Sequence, residues 1–334
     1  MKIFIPKYLI LVYIFAGFSV FEIVLRLTFG LGNPPLFQAD SDTGYRFQPN
    51  QKLTRFGKKI QYNQYSQRSE SITLNKPQKG LRIMIVGDSV SNGGAITDQS
   101  KIISEQLKDK LNTKANKLEV LNASTGSWGI GNQLGYIRKF GTFQSDLIII
   151  QIGSHDLMQP TSTDKNLGKP YTPIHNPALA TQELIIRYIL PRLSILKFID
   201  KNSNPNSNSN ISIPKGGITK SNEQFKQNMD YLREIISLIR SKKIPILVLF
   251  TPDKIDLIPT FRTPIYKSEF LQIIKQLKVP IVDTHLAWSK LPKITVESHY
   301  RDFIHFNERG NLAVADLLSK EICIKDKFKI CSES

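Results

Sequence analysis

The sequence predicts a three-layer α/β/α sandwich around a mainly parallel five-stranded sheet, preceded by an N-terminal transmembrane helix. Three observations carry this. Five short apolar runs lack the polar alternation of a half-exposed strand, amphipathic helical stretches separate them, and the chain opens with a long uncharged segment. At 334 residues and 40% hydrophobic content the chain is long and apolar enough to bury a core. Wholesale disorder is therefore excluded.

The opening segment reads YLILVYIFAGFSVF from Tyr8 to Phe21 and stays apolar to Gly32, interrupted only by Glu22 and Arg26. As a helix, Tyr8 to Leu31 reaches roughly 36 Å, enough to cross a hydrocarbon core of about 30 Å. Glu22 and Arg26 lie four apart and pair on one face. Lys2 and Lys7 precede the span and Asp40 and Asp42 follow it, which places the N-terminus in the cytoplasm and the body outside, periplasmic or extracellular. The rival reading is a cleaved signal peptide. Gly17-Phe18-Ser19 is a poor cleavage site and the apolar stretch runs on past it, so a retained anchor over 1–32 is expected.

Residues 33–80 form a polar, turn-rich lead-in expected to pack short strands onto the main domain, and no chemistry is assigned to it. Its aromatics interleave with basic residues as in a single-stranded nucleic-acid groove, but the expected topology argues against nucleic acid. The main domain is expected over 81–322. Its strands are Arg82–Val86, Leu118–Leu121, Asp146–Ile152, Ile244–Phe250 and Val279–Val282, in a flavodoxin-like order. Helices are expected near 100–113, 131–141, 176–200, 221–242, 266–278 and 308–322. Within it, 201–217 (KNSNPNSNSNISIPKGG) is a flexible low-complexity insert. The tail, 323–334, holds one of only two cysteines beside Cys323. Cys323 and Cys331 bridge if the last helix ends between them; otherwise Cys323 is a core residue. The formal net charge of +17 makes an anionic neighbour plausible and says nothing about fold.

In open α/β sheets ligands bind at the carboxyl ends of the strands. The first strand is followed by Gly87-Asp88-Ser89, the second by Asn122-Ala123-Ser124-Thr125-Gly126-Ser127-Trp128-Gly129, the third by Gly153-Ser154-His155-Asp156. Asp302 and His305 stand just before the last helix. One edge thus receives a serine, a histidine, a carboxylate three residues before that histidine, and a turn with free backbone N–H groups. Those are the parts of a nucleophilic acyl-transfer site. Ser89 is the candidate nucleophile, His305 the base, and Asp302 the group that fixes its tautomer; the backbone of Ser89 and of the Gly126-Ser127 turn supplies oxyanion donors.

This arrangement resembles the SGNH hydrolases, a branch of the GDSL family, over roughly Leu81 to the last helix. The resemblance makes Ser89, Asp302 and His305 the catalytic triad. Counting from Asn122 puts the family's oxyanion glycine at Ser127, with Gly126 the nearest glycine. Where the family usually has Gly-x-Asn-Asp the chain reads Gly153-Ser154-His155-Asp156, so His155 is expected to donate an N–H in place of the asparagine amide. The resemblance implies a membrane-anchored ester hydrolase or O-acyltransferase acting on an extracellular glycan or another acylated substrate, without cofactor or metal. The anchor and the spacing Asn63…Ser66…Arg68 fit membrane-tethered relatives such as alginate O-acetyltransferases at the level of architecture. A competing reading is a non-catalytic glycan- or protein-binding relative with an incomplete oxyanion hole. A nucleotide-binding domain ranks lower, because neither G-x-G-x-x-G nor a Walker lysine is present. A metal cluster of His155, His299, Asp302 and His305 has no regular phasing. Asp88 is expected to bond the turn backbone, Trp128 to be a buried aromatic or a sugar-stacking surface, and His175 and His285 to be surface or core residues.

Overall fold

A computed structural model describes residues 6–78, 80–111, 117–193, 217–324, 328, 330 and 331. Helix α1 (Lys7–Phe29) is 23 residues long and mostly exposed, long and apolar enough to cross a membrane. It ends at Gly30, whose left-handed φ of 66° lets its own N–H donate to Arg26 O and the Leu31 N–H donate to Leu25 O. The lead-in folds into two antiparallel hairpins, β1 (Phe37–Asp40) with β2 (Gly44–Phe47) and β3 (Gln51–Arg55) with β4 (Lys58–Tyr62). Apart from Phe56 at the tip of the second hairpin, their aromatics are core rather than surface: Tyr45 is fully buried, Phe47 stacks on Tyr62 at 3.9 Å, and both pack with the main sheet.

That sheet contains β5 (Leu81–Gly87), β6 (Leu118–Ser124), β7 (Leu147–Gly153), β8 (Ile246–Thr251) and β9 (Ile281–Asp283), all parallel in the order β6-β5-β7-β8-β9. The apolar runs are uninterrupted because both faces are covered. Met84, Val86, Ile148 and Ile150 face α4 (Ile130–Phe140), α6 (Gly217–Ser241) and α7 (Lys267–Gln276). Ile83, Ile85, Leu147 and Ile149 face α3 (Ile103–Leu111) and α10 (Glu308–Cys323). The period-2 alternation of strand side chains sorts them between the two layers. Two short helices, α8 (Thr284–Trp288) and α9 (Lys293–Glu297), are additional to the expected elements. The Asn/Ser-rich insert lies outside the described residues except for Gly217, which opens α6.

Cys323 and Cys331 form a disulfide that folds the chain back after α10, with Phe328 and Ile330 buried against the core. At the other end, Glu183, the last residue of α5 (Ala180–Glu183), ties the lead-in to the 180–193 helix. Its carboxylate pairs with Arg55 Nη2 at 2.5 Å and accepts from Gly32 N at 2.7 Å, and Arg55 in turn donates to the Gly30 carbonyl at 2.7 Å. Both side chains are buried, so removing one leaves an uncompensated charge. Glu183→Ala is therefore expected to cost about 3 kcal/mol in denaturant unfolding, and the double change Arg55→Met with Glu183→Leu to recover most of it. A double variant no more stable than the single one contradicts the assignment.

Candidate active site

The site sits at the carboxyl edge of the sheet. Ser89 opens the short helix α2 (Ser89–Asn92) directly after β5, and Asp88 caps it by accepting from Val90 N at 2.8 Å. This is the backbone-bonding role expected for Asp88. His305 comes from the loop before α10, which Asn307 caps through Arg309 N and Gly310 N. The structure brings the three expected residues together. His305 Nε2 lies 2.9 Å from Ser89 Oγ, and its Nδ1 lies 2.9 and 3.0 Å from the two oxygens of Asp302. In this arrangement Nδ1–H donates to the carboxylate and Nε2 accepts the seryl proton. Burial alone pushes the Asp302 carboxyl up. The hydrogen bonds from the His305 side chain and from the His305 and Ile304 amides outweigh that and hold it well below the usual carboxylate range. Asp302 is thus ionised wherever His305 can work as a base. Arg301 reaches from the same turn to Gly93 O and Thr97 Oγ1, at 2.9 and 3.1 Å, and fastens the turn to the loop that follows Ser89.

The second cluster forms the turn between β6 and α4. The amides of Ser89, Gly126 and Ser127 donate to no protein acceptor among the described residues, and all three residues line one cavity with His305. Tyr45 Oη donates to Gly126 O at 2.7 Å, and in a trans peptide this turns the Ser127 N–H the opposite way. Ser127 has φ +59°, a left-handed conformation that glycine adopts without cost. The position that matches the family glycine has the backbone of a glycine although a serine occupies it. Its strain is held by Gln159 Nε2 and Ser162 Oγ, both donating to Ser127 O.

The third cluster departs from expectation. His155 lines the cavity, but both ring nitrogens are engaged: Nε2 with Asp88 Oδ2 at 2.8 Å and Nδ1 with Asp253 Oδ1 at 2.7 Å. The expected oxyanion donation from His155 is therefore not what this geometry provides, because the ring has no third N–H. Burial works against the imidazolium, but Asp156, Asp253 and Asp88 outweigh it and raise the His155 pKa well above its ordinary 6.5. Asp156 is fully buried, accepts from Gly153 N at 2.7 Å through Oδ2, and leaves Oδ1 without a hydrogen-bond partner. Burial and the Asp88 charge push its pKa up. Gly153 admits the ring, since a Cβ there would stand 2.6 Å from His155 Cε1. One ligating atom each of Asp88, His155 and Asp156 lie within 4.8 Å of one another, but the carboxylates flanking His155 fit an imidazolium. His299, grouped with His155 and His305 in the metal reading, instead packs on Trp288.

Several residues of the site escaped the sequence reading. Gln151 is buried on β7, accepts from the Asp88 amide at 3.0 Å and donates to Thr251 Oγ1, so a strand-interior amide sets the nucleophile turn. Asp253 follows β8 as the other clusters follow their strands, and that shared position is the signal that would have found it. The buried Arg68 donates to Asn92 O, Gly94 O and Thr97 O and holds the loop after α2. Trp128 is buried and donates to Tyr45 O at 2.8 Å, which excludes sugar stacking. His285 is a core residue, engaged with Lys267.

A cavity of about 400 Å³ opens over Ser89 and His305. Phe37, Phe47 and Tyr62 of the lead-in form one wall, and Tyr171, Arg187 and Arg301 stand at others.

The sequence matches the model of the GDSL-like lipase/acylhydrolase family over residues 85–313. No curated protein matches. Among solved structures, a putative arylesterase from Agrobacterium tumefaciens is 13% identical, with 74% of this chain and 99% of that chain covered at a TM-score of 0.41. A catalytic mutant of the acetylxylan esterase Axe2 from Geobacillus stearothermophilus is 15% identical, with 74% and 96% covered and a TM-score of 0.44. A lipolytic G-D-S-L family protein from Veillonella parvula is 12% identical, with 74% and 100% covered and a TM-score of 0.44.

The imidazolium assignment has a pH signature. A raised histidine pKa stabilises the fold fully below the unfolded value and loses that contribution as pH rises through the folded value. His155→Asn strands two carboxylates and is expected to cost about 3 kcal/mol near neutral pH. Denaturant titrations across pH should show this gap narrowing from the ordinary imidazole range upward; a gap independent of pH contradicts a charged His155.

Proposed function

We propose that this chain, which belongs to the GDSL-like lipase/acylhydrolase family, is a membrane-anchored serine hydrolase or acyltransferase that cleaves or transfers an ester acyl group on a glycan outside the cell. The observation that carries this is His305 hydrogen-bonded at once to Ser89 and Asp302. In the proposed reaction Ser89 Oγ attacks the ester carbonyl while His305 Nε2 takes its proton. The amides of Ser89 and of Gly126 or Ser127 receive the oxyanion at the start of α2, where the helix end favours negative charge. His305 then protonates the departing alkoxide. Water or a sugar hydroxyl, deprotonated by the same nitrogen, releases the acyl group from Ser89. Hydrolysis and transfer differ only in that acceptor. His155 lines the cavity while its protons stay with Asp88 and Asp253, so it orders the end of the sheet rather than touching the oxyanion.

The finer parts of the reading have their own support. The exposed aromatic face of Tyr171 suits a sugar ring, and Arg187 and Arg301 suit its hydroxyls or an acidic substituent. The length and exposure of α1 fit a retained anchor, the early lysines favour a cytoplasmic start, and a disulfide fits an oxidising outer compartment. The non-catalytic reading drew its force from the altered third cluster, and the hydrogen-bonded triad favours the enzyme.

The test is labelling of the full chain by a serine-directed fluorophosphonate together with hydrolysis of p-nitrophenyl acetate. Ser89→Ala is expected to abolish labelling, and His305→Ala to lower kcat by about 10⁴. Labelling that persists in Ser89→Ala, or a folded wild type that neither labels nor hydrolyses, overturns the proposal in favour of a binding protein.

A further inference from the structure

The helix over 180–193 has two faces with different fates. Its inner face is fixed to the end of α1: Leu184 and Tyr188 pack with Leu25 and Leu31, and Glu22 of α1 accepts from the Ala180 and Thr181 amides at 2.6 and 3.0 Å. Its outer face carries Ile185, Ile186, Ile189 and Leu193, which are 38–48% exposed. Their spacing of one, four and eight makes a continuous apolar stripe on a helix. The β3–β4 hairpin tip adds a second apolar group beside it. Phe56 is exposed and lies 5.6 Å from Tyr188 and 6.2 Å from Phe29. The exposed Phe29 of α1, in ring contact with Phe56, continues the same surface.

We propose that this face lies on the lipid bilayer, with the outer side of the 180–193 helix and the tip at Phe56 immersed at the headgroup–acyl boundary. The proposal rests on the reading of α1 as a retained anchor. The occupant is the bilayer because the stripe is continuous with the exposed apolar surface of α1 and rooted at residues 22–31, where that helix leaves the hydrocarbon. The junction has no slack. The Phe56 amide donates to Phe29 O at 3.0 Å, and a Cβ on Gly30 would stand 2.0 Å from the Thr54 carbonyl oxygen, so helix and hairpin meet backbone to backbone. α1 therefore holds the body in one attitude. The active-site cavity is held low as well: its wall residue Pro35 follows Phe29 by six residues, at most roughly 20 Å of extended chain, and Arg187 of the docking helix lines the same cavity.

The test is tryptophan quenching in the full chain, reconstituted in nanodiscs of phosphatidylcholine with or without bromine on the acyl chains. Native Trp128 and Trp288 are buried and form a constant background. Ile189→Trp and Phe56→Trp are the probes, Val20→Trp in α1 reports on the anchor, and the exposed Ile294→Trp on α9 is the outside control. Fluorophosphonate labelling of each variant checks that it is folded. Brominated lipid is expected to lower the emission of the Ile189→Trp and Phe56→Trp probes at least twofold and to leave Ile294→Trp unchanged. If Val20→Trp is quenched while both probes behave like Ile294→Trp, the docked face is overturned and the anchor stands. If Val20→Trp is not quenched either, the anchor reading fails and takes the proposal with it.

Discussion

The His155 imidazolium, held between Asp88 at the end of β5 and Asp253 at the end of β8, is the interaction on which the active edge depends. Adjacent parallel strands are held together along their length by their ladders, but at the carboxyl ends the ladders stop and polar loops begin. A positive charge between carboxylates from the two neighbouring strands of β7 ties those ends together. Asp88 is shared: one oxygen bonds His155 and the other caps the helix that starts with Ser89. The direction of Ser89 is therefore linked to a charge balance whose bonded pairs lie 67 and 98 positions apart in the chain. Such a network is costly to break once buried, which is a reason for it to be complete on both ring nitrogens.

The lead-in and α1 extend the same logic to the far side of the cavity. Arg55 and Glu183, both buried, join the second hairpin to the helix over 180–193, and Glu22 joins that helix to α1. The first hairpin and β4 then supply aromatic side chains to the cavity wall. Hairpins of five residues or fewer per strand are too short to be stable alone, and here they are stabilised by packing on the sheet layer and by these ion pairs. The wall of the cavity and the C-terminal end of α1 are consequently one packed unit.

Much of the sheet was legible because strands buried on both faces must be apolar throughout, as in LIIIQIG of β7, and no helix face requires that pattern. The grouping of Ser89, Asp302 and His305 was legible because they follow a strand end or precede the last helix, and the structure places His305 within 3.0 Å of both Ser89 Oγ and the Asp302 carboxylate. The short helices α8 and α9, five residues each, are below one and a half turns and leave no periodic trace. The role of His155 was illegible for a different reason. Whether an imidazole faces an oxyanion or a carboxylate depends on Asp253, and only the folded sheet brings that residue to it. The lead-in showed its aromatics plainly, but nothing local distinguishes a ring that fills a core from one that walls a cavity. Ser127 shows the reverse case, where a serine conceals a left-handed turn that a glycine would have announced.

The most direct measurement is a crystal structure of the chain after phosphonylation by a small fluorophosphonate. The account predicts phosphorus on Ser89 Oγ, with the phosphoryl oxygen accepting from the amides of Ser89 and of Gly126 or Ser127. His155 should remain bonded to Asp88 and Asp253. Phosphorus on another residue, or a His155 ring turned to donate to the phosphoryl oxygen, would contradict it.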